Sequence, residues 1–442
     1  MKSLALSKCV GLTPRVTGFT MLTRISSIAL AALLTACTAS YYLDSAEDFY
    51  RRGDYESAIK GYLRAIGEDD KEAEAYHGLA MSYYQIGDTE GAMFAFEKAL
   101  EMDSLYTSAY EYLASIYLDL SRPDTAITLC RKAIQIDSEY VGAYLTLANA
   151  LFERGLVVTA INTLWGAIKL TKRLQADPEK RSYYGSLSNE QAEAYNALGR
   201  VYLSLGQRNY ALEALENAIT LSPYWAPPWF NKGRVYEALE RYSSAEIAYR
   251  RAIDISSSYL DPYKSLARLY RKLGKDDDAI DTFRDAIGVD PTDVESYMGL
   301  AEVYEMKNNY DRAIEAYNGV LQNAPDYLEG YLRAGLANIK KRSYDRALEL
   351  LSEALEIDPD NAEVHNALGE AYDGKGMIAQ ADTAFRQAVK LDSTSTRPLK
   401  NLATLCLKRG REEEAIEYFR RAAVLGDPTA QAFLRVRGLG WK

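Results

Sequence analysis

One pattern of residues returns along this chain at a fixed distance of 34 residues. An aromatic residue is followed by a Leu or Ala, a small residue, a tyrosine and two alanines, in eleven copies after about residue 39. One copy reads Tyr195, Leu198, Gly199, Tyr202 and Ala211, and positions are counted here so that Tyr195 is position 4. Since 34 residues are too few to bury a core alone, such units fold by stacking on their neighbours.

Each copy has the apolar spacing of helices, with apolar residues at i, i+3, i+4 and i+7. Small residues at positions 8 and 20, such as Gly199 and Ala211, mark where two antiparallel helices approach closely. The pattern resembles the tetratricopeptide repeat, a helix–turn–helix unit of 34 residues. This resemblance implies an all-α fold, a right-handed α-solenoid of about eleven such repeats.

The copies divide the chain into segments. Repeats 1–4 occupy residues 39–174 and repeats 5–11 occupy 192–428, and the segment 429–442 is predicted to cap the last repeat. The distance from Tyr144 to Tyr195 is 51 residues, which places an insertion of 17 residues at 175–191. The insertion is either a binding loop or an extended helix with a loop that binds no partner.

The first 37 residues differ from the repeats. They carry Lys2, Lys8, Arg15 and Arg24 without an acidic residue, then an apolar run over 25–34, then Leu34-Thr35-Ala36-Cys37. The segment 1–36 resembles a bacterial lipoprotein signal peptide, which implies that Cys37 becomes the acylated N-terminus. Met21 starts a complete signal by itself and is the expected translation start. An organelle transit peptide is the alternative.

Charge restricts the partners. The chain has 52 basic and 62 acidic residues, and four of the basic ones lie in 1–36, which leaves 48 basic residues and a net charge of −14. So acidic a protein is not expected to bind nucleic acid or an anionic lipid surface. Membrane attachment would therefore depend on the lipid, and we expect a location in the bacterial envelope, in the outer membrane rather than the inner.

We predict no catalytic, metal or cofactor site. The only histidines, His77 and His365, fall at repeat positions 5 and 4 and lie in no nucleophile or metal motif, so structural roles are expected for both. Cys130 and Cys406 fall at core positions 24 and 11, which favours buried thiols over a disulfide.

The resemblance also implies a concave groove lined by positions 2, 5, 6, 9, 12 and 13 of the first helices. In repeats 8 and 10 these positions hold Glu302, Glu305, Glu370 and Asp373. In repeats 5 to 7 they hold the polar and basic residues Asn196, Arg200, Asn231, Arg234, Lys264, Arg268, Arg271 and Lys272.

The basic set matches the carboxylate clamp of some family members poorly. Asn231 falls at a clamp position, but the usual set of lysine, asparagine and arginine is not reproduced over three consecutive repeats. We therefore predict only an anion-favouring groove for a partner with an acidic or C-terminal carboxylate segment. In the alternative, these cations pair with Glu193, Glu237 and Asp261 nearby.

These features predict a non-enzymatic scaffold or assembly factor for protein–protein interactions, anchored in the bacterial cell envelope. The alternative is a peptidoglycan- or carbohydrate-associated factor that regulates a cell-wall enzyme. Sugar binding would favour exposed aromatic residues in the groove, whereas peptide binding favours charged and amide residues.

Overall fold

The computed structural model describes residues 27–68, 72–184 and 187–441, without the side chains of 27–37 and 183–184. Within these ranges the chain forms 24 helices in successive hairpins and no strand. The chain divides into two compact units, Met1–Val235 and Tyr236–Lys442. The all-α solenoid fold predicted from the 34-residue spacing is confirmed.

The first unit contains the helices before the division. They are α1 (Ser27–Arg51), α2 (Tyr55–Glu68), α3 (Ala73–Gln85), α4 (Thr89–Met102), α5 (Thr107–Asp119), α6 (Pro123–Ile136), α7 (Val141–Glu153), α8 (Val157–Ala176), α9 (Pro178–Tyr184), α10 (Ser188–Ser204) and α11 (Arg208–Leu221). Helix α12 (Ala226–Ala238) begins in this unit and ends three residues beyond the division.

The second unit contains the other twelve helices of the described ranges. They are α13 (Tyr242–Ile255), α14 (Leu260–Lys272), α15 (Asp276–Val289), α16 (Val294–Met306), α17 (Tyr310–Asn323), α18 (Leu328–Lys341), α19 (Tyr344–Ile357), α20 (Ala362–Gly374), α21 (Ile378–Leu391), α22 (Thr396–Lys408), α23 (Glu412–Val424) and α24 (Pro428–Val436).

Repeat position determines where the helices begin. Second helices begin at position 17, and first helices from α3 onward begin at position 1, except α10, which begins four residues early beside the insertion. The turn between them places position 15 in the left-handed region, where glycine has no steric penalty. Position 15 is glycine in seven repeats, and the others hold Ser121, Glu240, Asn308 and Arg342 with φ between 55° and 65°.

The core lies where the two helices of a repeat cross. Gly199 at position 8 faces Leu215 at position 24, and a Cβ added to Gly199 would lie 2.5 Å from Leu215 Cγ. Ala211 at position 20 is fully buried. Cys130 and Cys406 are buried free thiols, and burial raises the pKa of Cys130 to about 12.

In several repeats the residue at position 4 ties the first helix to the preceding turn. Tyr331 Oη donates a hydrogen bond to the Pro325 carbonyl oxygen at 3.1 Å, six residues earlier. His365 takes the same place, with Nε2 at 3.0 Å from the Pro359 carbonyl oxygen. The histidine therefore replaces the usual tyrosine in a structural contact.

The residues around the insertion pack against repeat 4. Helix α8 is extended to Ala176, and the short helix α9 follows. Lys180 on α9 pairs with Glu139 at 2.5 Å, while Leu174 and Leu187 are buried in the core of the first unit. Residues 185–186 lie outside the described residues.

The C-terminal segment forms helix α24 against the last repeat. The Asp427 carboxylate accepts a hydrogen bond from the Ala430 N–H at 2.8 Å and so caps the helix N-terminus. Leu434 is buried, and Phe433 stacks on Phe419 with ring centroids 4.0 Å apart.

At the other end, helix α1 is continuous from Ser27 through Cys37 to Arg51. The remainder of the predicted signal peptide, residues 1–26 with Met21, lies outside the described residues. In the described part of the chain, no helix combines the length and apolar character that crossing a membrane requires.

Candidate functional site

The side chains at positions 2, 5, 6, 9, 12 and 13 of the first helices are named here the first-helix face. Asn231 at position 6 donates from Nδ2 to Oδ1 of Asn196 at position 5, at 2.8 Å, and both side chains are buried. Asn401 makes the same contact with Asn366 at 2.9 Å. The repeat thus fixes which side chains of neighbouring first helices meet.

Arg200 and Arg234 occupy position 9 of repeats 5 and 6, in the first unit, and both are exposed. Neither forms an ion pair with a carboxylate of the described residues. The Arg234 guanidinium lies over the Phe230 ring, 5.9 Å from its centroid. The first unit therefore presents two guanidinium groups, on helices joined by the Asn196–Asn231 hydrogen bond, that are available to an anion.

Three of the four predicted groove cations of repeat 7, in the second unit, already pair with carboxylates. Lys264 Nζ lies 2.9 Å from Glu295, 3.4 Å from Asp293 and 3.8 Å from Asp261. Arg268 also pairs with Glu295, and Arg271 pairs with Glu302.

Lys272 instead lies over the Tyr242 ring, 4.8 Å from its centroid. The eight predicted groove residues therefore fall into two groups in different units. In the first, neither Arg200 nor Arg234 has a carboxylate partner, whereas in the second Lys272 alone of the four cations lacks one among the described residues.

The acidic residues predicted at the same face of the second unit are mostly compensated as well. Glu370 accepts hydrogen bonds from Arg397 at 3.0 Å and from Asn401 at 2.9 Å. Asp373 pairs with Lys408 at 2.6 Å. Burial raises the pKa of Glu305.

The sequence analysis did not assign a second group of carboxylates, Glu111, Glu190 and Glu193, to a binding surface and named Glu193 only as a partner of the cations. In the first unit, Glu111 at position 5 accepts a hydrogen bond from Thr146 Oγ1 at 2.7 Å, and burial raises its pKa. Burial and the charges of Glu190 and Glu111 raise the pKa of Glu193 at position 2. No cation of the described residues pairs with these three carboxylates. Repeat position was the available signal for Glu111 and Glu193, at positions 5 and 2, whereas Glu190 precedes position 1 of repeat 5.

Aromatic rings surround His77 in repeats 2 and 3. Its ring centroid lies 4.8 Å from that of Tyr106 and 6.0 Å from that of Tyr112, and Ser108 Oγ is 3.1 Å from Nε2. Burial lowers the pKa of His77 to about 4. A neutral imidazole packed in this way has a structural role.

Metal ligation has no geometric support in the ranges that the structure describes, where no group of three or more His, Cys, Asp or Glu side chains could hold a metal ion.

Family models match most of the repeats. One tetratricopeptide-repeat model matches residues 43–103 and 95–141, and another matches 192–224 and 226–259. A third model, described as the C-terminal domain of cilia and flagella-associated protein 70, matches 254–435, which is less than half of the chain. No curated protein sequence matches the chain. The tetratricopeptide repeats predicted from the spacing are therefore confirmed.

Several solved structures are similar at low identity. Yeast Tom70 is 16% identical, with 90% of this chain and 94% of that chain covered and a TM-score of 0.38. The C-terminal part of a repeat protein from Cytophaga hutchinsonii is 21% identical, covering 58% and 99%, with a TM-score of 0.45. A repeat protein from Parabacteroides merdae is 17% identical, covering 55% and 97%, with a TM-score of 0.41.

Proposed function

We propose that this tetratricopeptide-repeat protein is a non-enzymatic scaffold or assembly factor that binds partner proteins through its first-helix face. Proteins built from these repeats are generally protein-interaction modules. The observation that carries the proposal is the pair Arg200 and Arg234, exposed on successive first helices and unpaired among the described residues.

The two guanidinium groups select the chemistry of the partner. A guanidinium binds a carboxylate through two parallel hydrogen bonds, which makes arginine suited to acidic side chains and to a C-terminal carboxylate. The buried Asn196–Asn231 hydrogen bond connects the helices that carry the two arginines. The proposed ligand is an extended acidic segment, or an acidic C-terminus, that lies across repeats 5 and 6.

Attachment to the bacterial envelope, and to the outer membrane in particular, is part of the proposal. It rests on the basic leader, the apolar run and the sequence Leu34-Thr35-Ala36-Cys37. Lipid on Cys37 would hold an acidic chain at a membrane whose surface charge does not attract it.

The test is capture of partners from detergent-solubilised envelope with Cys37 intact. The variant Arg200→Glu/Arg234→Glu should lose an acidic partner that the natural protein retains. The matched control is Arg131→Glu/Arg208→Glu, which makes the same charge change at exposed residues of the second helices α6 and α11. Equal loss of the partner in both variants would contradict binding through Arg200 and Arg234. Retention of peptidoglycan sacculi in place of proteins would support the cell-wall alternative.

A further inference from the structure

A second surface of opposite charge lies on the first helices of repeats 2, 3 and 5 in the same unit. It is named here the acidic tyrosine surface and consists of Tyr84, Glu111, Tyr112, Glu190 and Glu193. The negative charge of Glu111 in repeat 3 contributes to the raised pKa of Glu193 in repeat 5, and that of Glu193 contributes to the raised pKa of Tyr112. These groups therefore share one electrostatic neighbourhood.

The carboxylates of this surface lack the compensation found in the second unit. There, four carboxylates of the first-helix face, Glu295, Glu302, Glu370 and Asp373, each pair with lysine or arginine. On the acidic tyrosine surface, Glu111 accepts hydrogen bonds from the neutral hydroxyl groups of Thr146 at 2.7 Å, of Ser115 at 3.4 Å and of Tyr140.

One oxygen of this surface is buried without a hydrogen-bond donor. Glu190 Oε2 is shielded from solvent and accepts no hydrogen bond from the described residues. Burying a carboxylate oxygen in this way costs free energy, because the oxygen loses its hydrogen bonds to water and gains none from the protein. The negative charge of Glu190, uncompensated by a cation of the described residues, adds to that of Glu193, whose exposed side chain an ammonium or guanidinium group of another molecule can reach.

The tyrosines add a second attraction for a cation. The rings of Tyr84 and Tyr112 are half-buried and meet edge to face, with centroids 6.3 Å apart. Burial, more than any other cause, raises the pKa of Tyr112 to about 12, so its phenol stays neutral at neutral pH. Neutral aromatic faces attract lysine and arginine side chains.

We infer that the acidic tyrosine surface binds a lysine- or arginine-bearing segment of a partner protein. This inference rests on the proposed function, because it gives the scaffold a second binding surface whose ligand has the opposite charge to that of Arg200 and Arg234. The two surfaces together would hold a segment with both charges, or two segments.

The probe is a fluorescent peptide with four lysines spaced by alanines, and a glutamate peptide of the same length is its counterpart. The lysine peptide should bind the full chain. The triple variant Glu111→Gln/Glu190→Gln/Glu193→Gln should weaken the affinity for that peptide by about tenfold or more. The control Glu90→Gln/Glu97→Gln/Glu213→Gln makes the same charge change at exposed second-helix positions and should leave its affinity unchanged.

Binding of the lysine peptide tests this inference, and binding of the glutamate peptide tests the proposed function separately. Arg200→Glu/Arg234→Glu should abolish binding of the glutamate peptide and leave binding of the lysine peptide intact. No binding of the lysine peptide, or equal weakening by the two glutamine variants at unchanged helicity, would overturn the acidic tyrosine surface as a binding site. Neither result depends on whether the glutamate peptide binds.

Discussion

Asn231 donates its side-chain amide to the side-chain oxygen of Asn196 at 2.8 Å between the first helices of repeats 5 and 6. The two residues are only 4% and 8% exposed, so each supplies the partner that water cannot. Asn401 and Asn366 repeat this arrangement at the same positions in repeats 11 and 10. The proposed binding arginines lie on helices whose relative position this amide pair helps to set.

Removing one member of the amide pair should cost more than removing both. Asn231→Leu leaves the Asn196 oxygen buried without its donor, at a cost of about 1–3 kcal/mol. The double variant Asn196→Leu/Asn231→Leu replaces both polar groups and should recover much of that loss. A double-mutant cycle from denaturant unfolding measures the coupling, and additive losses would show that the hydrogen bond does not stabilise the helix contact.

The close approach at position 8 predicts a specific packing defect. Gly199→Ala puts a Cβ 2.5 Å from Leu215 Cγ and should destabilise the first unit by about 1–3 kcal/mol. Gly199→Leu should lower the stability of the first unit further. Gly166→Ala is the matched control, because that helical glycine has no atom within 4 Å of an added Cβ, so alanine should stabilise the helix by up to about 1 kcal/mol. Equal shifts of the melting temperature in Gly199→Ala and Gly166→Ala would contradict the assignment of Gly199 to position 8.

Position 15 offers a stabilising change. Ser121 adopts φ of 57°, where a side chain crowds the backbone, so Ser121→Gly should stabilise the protein by about 1 kcal/mol. Gly87→Ala, at φ of 80° in the equivalent place, should destabilise it by a similar amount. Thermal unfolding tests both changes, and a loss of stability in Ser121→Gly would mean that its side chain makes a contact worth more than the strain.

The lipid proposal is tested by Cys37→Ser. A labelled fatty acid should enter the natural protein, and the serine variant should lose the label and move to the soluble fraction. Cys9→Ser keeps the proposed acylation site and should behave as the natural protein does. Membrane retention of unlabelled Cys37→Ser would contradict anchoring by lipid.

The sequence predicted the helices well because each depends on residues within one repeat. Apolar spacing and the small residues at positions 8 and 20 place the two helices, and α14 and α16 begin at position 1 of their repeats. Repetition of the pattern then makes the stacking of hairpins the direct consequence of burial.

The charges of the site were harder to predict because their partners lie in the next repeat. Lys264 has Asp261 nearby in sequence, but its shorter contacts are with Asp293 and Glu295, about one period further on. Which cations are paired depends on side-chain reach between helices, and repeat position alone does not determine it. Glu111 lies at position 5 of repeat 3, whereas the sequence prediction named groove residues only in repeats 5 to 8 and 10.

The most direct test of the central claim is photo-crosslinking in cells from a single position of the first-helix face. A photoreactive amino acid at Arg200 should give one discrete crosslinked partner protein. The same group at Val158, which is 73% exposed on second helix α8, should give none. Partner crosslinks from Val158 alone, or equally from both positions, would contradict binding through the first-helix face.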